Sequence, residues 1–259
     1  MVKIGIIGGS GVYDPNLFED AKKIKVHTPY GRTSDFVTVG KFKGVDMVVI
    51  PRHGEGHKIN PSDVNYRANI WAMKELGVTD IIATGAVGSL KEEIKPGDLV
   101  FTDQFIDRTT KRNSTFYEGS HVCHISIAEP TCKELRKIMI QEAKNLNIPH
   151  HQRGTCVVIE GPKFSTKAES AMHRSWGADL VGMTMVPECV LAREAGICYA
   201  TASLVTDYDV WKEQHVTIEE IIKVMGQNLD KFKKLMNNVI PRIEERECEC
   251  REAIKSSLI

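Results

Sequence analysis

The sequence predicts one α/β domain: a mixed, mostly parallel central β-sheet flanked by helices. Three observations carry this. Short β-branched runs alternate with helical patterns along the chain. Several of those runs are apolar on both faces, as strands covered by helices are. No linker, low-complexity stretch or internal repeat divides the 259 residues, a length that fits one large domain.

In chain order, Val2–Gly8 is a short apolar strand that runs into Gly8-Gly9-Ser10-Gly11. Val45–Pro51, Asp80–Thr84, Asp98–Thr102, Gly154–Glu160, Asp179–Thr184 and Ile197–Thr206 follow as strands. Pro61–Leu76 is a helix, because Tyr66, Ile70 and Met73 share a face and Gly77 stops it. Glu129–Asn147, Ser165–Trp176, Val186–Ala195 and Thr217–Asn238 carry the same spacing. Ligands of such sheets sit beyond the carboxyl ends of the strands, and that rule selects the loops to inspect.

Composition narrows the classes. Hydrophobic content is 42% and charged content 26%, and 34 basic residues balance 34 acidic ones. No net field favours nucleic acid or an anionic membrane. No apolar run has the length of a membrane span, and Met1 leads straight into the first strand, so no signal peptide is expected and the protein is expected to be cytoplasmic.

Four strand ends carry anion-binding chemistry. In Gly8-Gly9-Ser10-Gly11 the glycines let the backbone approach an anion and Ser10 supplies a hydroxyl. The spacing is neither a P-loop nor a dinucleotide fingerprint, and a tight turn is the plain alternative. Arg52 and His53 follow the strand Val45–Ile50. Arg52 offers a planar fork to a pair of phosphate oxygens, and His53 can donate a hydrogen bond. A surface ion pair is the alternative for Arg52, and a loop histidine without a role is the alternative for His53. Thr84-Gly85-Ala86 exposes backbone N–H groups at a strand exit, and Gly182-Met183-Thr184 ends another strand ahead of Pro187. A parallel sheet gathers these ends on one edge. Beyond them, Asp207 and Asp209 stand two apart after the strand Ile197–Val205, so both can face one pocket. A carboxylic acid can donate to purine N7 and a carboxylate can accept from a 6-amino group. In a low-dielectric pocket the Asp207 pKa would rise, as a general acid requires. A solvated acidic loop is one alternative and a metal site another, the latter disfavoured because no third ligand is near in sequence.

Several stretches together resemble a known family. They are Lys3–Gly11, Arg52-His53-Gly54 through Val64–Trp71, Pro96-Gly97-Asp98, Asp103–Thr109, Glu160-Gly161-Pro162-Lys163-Phe164-Ser165, and Met183-Thr184 through Ala192–Ala200. Over about residues 2–240 the chain is similar to the trimeric nucleoside phosphorylases, most closely the 5′-methylthioadenosine phosphorylases. The domain is set at 1–240, with 241–259 a C-terminal tail carrying Cys248-Glu249-Cys250.

The resemblance implies phosphorolysis. Inorganic phosphate, a co-substrate, displaces adenine from 5′-methylthioadenosine and leaves 5-methylthioribose 1-phosphate, with no metal and no organic cofactor. Phosphate would be held by Ser10, Arg52, His53, Thr84, the Gly85 and Ala86 backbone, and Thr184. Most members carry Thr where Ser10 stands, which keeps the hydroxyl. They can also carry Thr where Gly85 stands, which leaves only an N–H here. Met183 would lie beneath the ribose, Phe164 would stack on the purine with Ser165 beside it, Asp207 would serve N7 and Asp209 the 6-amino group. Ile218, Ile221 and Ile222 would form an apolar pocket for the methylthio group, core packing being the alternative. His124 would reach in from a neighbouring subunit, so the protein would be a homo-oligomer, a trimer or a hexamer. Asp at both base positions favours adenine. The competing specificity is a broad or 6-oxopurine phosphorylase. The rival classes are a nucleotide sensor and a water-using nucleosidase.

The seven cysteines lack C-x-x-C spacing, which disfavours zinc and thioredoxin-type chemistry. Hyperthermophile disulfides and free thiols both remain open. The resemblance implies disulfides, Cys132 with Cys198 and Cys189 with Cys248 or Cys250, because some thermophilic members carry such bridges and a C-x-C pair near the C-terminus.

Overall fold

The structure, a computed structural model, describes residues 2–9, 11–12, 18–212 and 218–259, and of Ile218 the backbone alone. Eleven strands form one sheet. They are β1 (Lys3–Gly8), β2 (Glu19–Ile24), β3 (Val37–Phe42), β4 (Val45–Pro51), β5 (Asp80–Ser89), β6 (Leu99–Val100), β7 (Gln104–Asp107), β8 (His150–His151), β9 (Thr155–Val158), β10 (Leu180–Gly182) and β11 (Cys198–Asp207). The main helices are α1 (Tyr66–Glu75), α2 (Lys133–Asn145), α3 (Lys167–Ser175), α4 (Met185–Glu194) and α5 (Ile218–Val239).

The sheet is mixed and mostly parallel, as predicted. β1 pairs parallel with β4 and β5, β5 with β11, and β9 with β7 and β10. The antiparallel pairs are β2 with β3, β3 with β4, β5 with β10, and β6 with β11. Neighbouring residues of one strand feed opposite cores, the period-2 consequence of the pleat. Ile7 and Ile81 pack with Ile70 and Met73 of α1 and Leu191 of α4. Ile6 and Ile82 pack with Leu135 and Met139 of α2 and Phe232 of α5.

Local signals set the helix limits. Asn65 caps α1 by accepting from the Ala68 N–H at 3.1 Å, and Gly77 at φ +74° turns the chain out of it. Thr166 and Glu169 form a capping box at the start of α3. Val186 is extended ahead of a cis Pro187, which kinks the first turn of α4.

The chain after residue 240 docks on the sheet instead of trailing. Arg246 and Arg251 both pair with the buried Asp80 at the start of β5. All seven cysteines are free thiols. Cys132, Cys198, Cys248 and Cys250 come together, with their sulfurs within 4.8 Å of one another. The expected partnership of Cys189 with Cys248 or Cys250 is not what the fold allows. Cys189 lies on α4 in the core facing α1, whereas Cys250 lies in the core on the other face of the sheet.

Candidate active site

The site forms where β5 changes partners. On one flank β5 pairs with β11 from Asp80 through Gly88. On the other it pairs with β1 through Ala83 and with β10 only from Gly88. Among the described residues no strand pairs with Thr84–Val87 on that flank, so they face an opening between two strands that run in opposite directions. This is a topological switch point, where α/β sheets hold ligands. The sequence places a strand exit at Thr84; β5 instead continues to Ser89, because β11 supports it past the end of β1. Gly85 is half-buried and Ala86 exposed, so their backbone remains accessible.

Arg52 follows β4 and turns inward. Its side chain is 2% exposed. It donates from Nε to Glu188 Oε2 at 2.7 Å and from Nη2 to Glu188 Oε1 at 2.8 Å. Nη1 donates to the Thr84 carbonyl at 2.8 Å, and Nη2 reaches the Ile7 carbonyl at 3.4 Å. The expected fork for phosphate is thus occupied by Glu188. Of five guanidinium N–H groups, one on Nη1 is left, and that nitrogen is 3.8 Å from where a Cβ on Gly85 would stand. Burial pulls the Arg52 pKa down, but Glu188 outweighs it and the net shift is upward. Arg52 stays charged.

Two expected side-chain donors are committed elsewhere. The Thr84 hydroxyl donates to the Ala202 carbonyl at 2.7 Å. The His53 Nδ1 lies 2.9 Å from the Ile59 carbonyl. A carbonyl only accepts, so Nδ1 carries the proton, and in the neutral ring Nε2 is an acceptor. Burial first, then the Arg52 charge, holds the His53 pKa down at about 4. Neutral His53 is therefore suited to accept from a protonated phosphate oxygen, the reverse of the donor role expected from sequence. The His57 ring stacks on it at 4.3 Å.

Thr184 faces the opening from the other side. It precedes α4, makes no capping hydrogen bond, and places Oγ1 3.1 Å from the position of a Gly85 Cβ. Arg52, Gly85, Met183 and Thr184 line one pocket. Met183 packs its sulfur against Gly161, where a Cβ would stand 2.6 Å away. Arg112 fixes this corner. Its guanidinium donates to the Met183 and Val186 carbonyls, both at 2.6 Å, and to the Glu160 carbonyl at 2.8 Å. One buried cation thus ties the 160–164 loop to the 183–186 turn.

Two carboxyls close the other end of the opening. Asp207 ends β11, with Oδ2 3.2 Å from where a Gly88 Cβ would stand, and Asp209 Cβ is 3.3 Å from the same point. Asp207 accepts from the Thr206 hydroxyl at 2.7 Å and the Asp209 N–H at 2.9 Å. Burial raises its pKa and outweighs those two bonds. Asp209 sits at φ +49°, and its Oδ2 is buried without a partner, as is Ser165 Oγ. Of the nine such atoms among the described residues, these two belong to residues expected to face a base. Phe164 is 67% exposed, free to cover a ligand. Gly88 is what admits both carboxyls beside β5.

The remaining expected residues are less gathered. Ser10 lies outside the described residues, and so does the Ile218 side chain. Ile221 is half-buried, and Ile222 is 65% exposed on α5, so core packing does not account for Ile222. His124 is exposed, on a segment that pairs with the C-terminus through its N–H to the Ser257 carbonyl at 2.8 Å.

Glu188 and Arg112 were missed from sequence. Glu188 had a signal: it is the sole charge in the apolar run Met183–Ala192, and a charge in such a run must be paired. Arg112 had none, since its partners, the Met183, Val186 and Glu160 carbonyls, the Glu160 carboxylate and the Ser62 hydroxyl, come from distant loops.

Comparison with known proteins agrees with this geometry. Residues 3–241 match the family model described as the phosphorylase superfamily. A protein of Pyrococcus furiosus named S-methyl-5′-thioadenosine phosphorylase is 56% identical over 260 aligned residues, covering all of both chains. A protein of Saccharolobus solfataricus with the same name is 52% identical, over 99% of this chain and 97% of its own. The crystal structure of a methylthioadenosine phosphorylase from an antarctic soil metagenomic library superposes with a TM-score of 0.95 at 43% identity, covering 100% of this chain and 92% of the other. The methylthioadenosine phosphorylase from Schistosoma mansoni in complex with adenine gives 0.93 at 42%, covering 99% and 97%. The chain belongs to the phosphorylase superfamily, within the family of the S-methyl-5′-thioadenosine phosphorylases.

Proposed function

We propose that this chain cleaves the N-glycosidic bond of 5′-methylthioadenosine with inorganic phosphate, giving adenine and 5-methylthioribose 1-phosphate. One observation carries the reading. The anion corner at Gly85 and Thr184 and the acid pair at Gly88 are three residues apart along β5, about 10 Å at the usual strand rise of ~3.3 Å. A ribose bridges such a span, with phosphate at one end and purine at the other.

Phosphate binds at the Gly85–Ala86 backbone and Thr184, with Ser10 on the glycine loop, one Arg52 N–H, and His53 accepting a P–OH. Thr84 contributes its backbone to this corner. Met183 supports the ribose. Phe164 stacks on the purine and Ser165 lies beside it. Burial, which raises the Asp207 pKa, suits it to donate to N7 as the bond breaks, and Asp209 accepts from the 6-amino group. The transition state carries positive charge on the ribose. An anion below it and a protonated base beyond it both stabilise that distribution more than they stabilise the ground state. Ile218, Ile221 and Ile222 receive the methylthio group.

The active form is a homo-oligomer, a trimer or hexamer, in which exposed His124 enters a neighbour's site. The reaction needs no metal or organic cofactor, takes place in the cytoplasm, and involves neither nucleic acid nor membrane. Among the described residues no helix is long and apolar enough to cross a membrane.

The test is adenine release from 5′-methylthioadenosine with and without phosphate, followed by kcat/KM for inosine. Phosphate-dependent release and a higher kcat/KM for methylthioadenosine are expected. Equal release without phosphate, or a preference for inosine, refutes the assignment.

A further inference from the structure

Far from the site, at the opposite end of the same strands, four thiols converge from three parts of the chain. Cys132 stands at the N-terminus of α2, anchored by its N–H to the Tyr199 carbonyl at 2.7 Å. Cys198 opens β11 and is held by its N–H to the Thr79 carbonyl at 3.1 Å. Cys248 and Cys250 come from the C-terminal tail. Cys132, Cys198 and Cys250 are buried and Cys248 is half-buried. All four sulfurs lie within 4.8 Å of one another.

The geometry points to a structural zinc site made by Cys132, Cys198, Cys248 and Cys250. A closed tetrahedral Zn–S₄ site has Zn–S bonds of about 2.3 Å, so its sulfurs stand about 3.8 Å apart. Cys132 Sγ and Cys248 Sγ are 3.7 Å apart. That spacing is far beyond the ~2.05 Å of a disulfide. Four thiolates around Zn²⁺ carry two net negative charges, and the surroundings offset them. Arg246 Nη2 stands 3.9 Å from Cys132 Sγ, and both Arg246 and Arg251 are held there by Asp80. Each thiol gives its proton to solvent as the metal binds. The absence of C-x-x-C spacing is no obstacle, because the fourfold set is assembled by the fold and only one pair, Cys248 and Cys250, is local.

The metal would rivet the tail to α2 and the start of β11. Cys198 and Asp207 sit at opposite ends of a ten-residue strand, about 30 Å apart at ~3.3 Å per residue. The site is therefore structural, not part of the chemistry at Asp207.

The test uses the full chain, purified without a metal-affinity tag, under reducing anaerobic conditions, from cells supplied with zinc. One zinc per chain by elemental analysis is expected, with all seven thiols titrating once the protein is denatured in chelator. The stripped protein should take up one Co²⁺ per chain and show the intense visible bands of tetrahedral cobalt–thiolate. Cys248→Ser and Cys250→Ser should each lose the metal and lower Tm, while Cys123→Ser, outside the cluster, keeps it. Should the serine variants misfold, the cobalt titration of the unaltered chain decides. A chain without zinc that fails to bind cobalt overturns the proposal, whether its thiols are all free or paired in disulfides.

Discussion

Replacing Glu188 with Gln probes the buried centre of the anion corner. Glu188 is fully buried and meets Arg52 through two charge-assisted hydrogen bonds at 2.7 and 2.8 Å, with the Tyr199 hydroxyl donating at 3.0 Å. Gln keeps the shape and one acceptor. Its NH₂ then points at an Arg52 donor, and the guanidinium loses its only buried counter-charge among the described residues. Removing one partner of a buried pair costs about 3–5 kcal/mol. The retained carbonyl places Glu188→Gln near the lower figure, roughly two powers of ten in the folded-to-unfolded ratio. Urea unfolding at fixed protein concentration measures it. Phosphate then discriminates between a local and a general defect. At a hundred times its Kd, a ligand stabilises the unaltered protein by about 2.7 kcal/mol. Without the Glu188 charge, and with one acceptor fewer, Arg52 has an uncompensated charge and one more N–H to offer the anion, so phosphate should stabilise the variant by more than it stabilises the parent. A stability loss below ~1 kcal/mol, outside the range for buried pairs, or a phosphate shift no larger than the parent's, refutes the view that Glu188 neutralises Arg52.

Three further outcomes are expected. His53 is depressed to about 4 in the folded chain against about 6.5 unfolded, so the unfolded chain binds the extra proton between those values. Its contribution to stability is full above about pH 6.5 and is lost as pH falls to about 4; urea midpoints across that window should lose this slope in His53→Gln, and an unchanged slope would exclude His53 as its source. Gly85→Ala puts a methyl group 3.1 Å from Thr184 Oγ1, so the KM for phosphate should rise several-fold with little change in the KM for nucleoside, and the reverse pattern in initial-rate kinetics would remove Gly85 from the phosphate corner. Asp207→Asn should lower kcat/KM for methylthioadenosine by about 10²–10³, the usual cost of one transition-state donor, and more than it lowers kcat/KM for inosine; equal losses would show that Asp207 does not contact the base.

Much of this was legible in the chain, and the reasons are local. Val45–Pro51 announced itself because all its apolar residues are β-branched or long, and it occupies those same limits. α3 was marked by the helical spacing of Ser165–Trp176, and the structure adds the capping box at its start. Asp207 and Asp209 stood out because two carboxylates two apart after an apolar strand can face one pocket. What escaped depends on tertiary pairing. β2 reads Glu-Asp-Ala-Lys-Lys-Ile, an exposed edge strand with no periodic apolar signal. The extension of β5 past Thr84 is imposed by β11, not by its own Gly-rich sequence. The employment of Arg52, Thr84 and His53 by Glu188, Ala202 and Ile59 is likewise invisible in sequence, since each partner but Ile59 is more than thirty residues away.

The partner change along β5 has a consequence for how such a protein can vary. Part of the proposed anion cradle, at Gly85 and Ala86, is written in peptide groups, which no side-chain replacement deletes. The proposed purine end is written in Asp207, Asp209, Ser165 and Phe164, each of which a single codon can rewrite. Descendants of this scaffold can therefore trade one nucleobase for another while the peptide share of the phosphate corner passes on intact, and inherited chemistry with drifting taste is a course that this architecture leaves open.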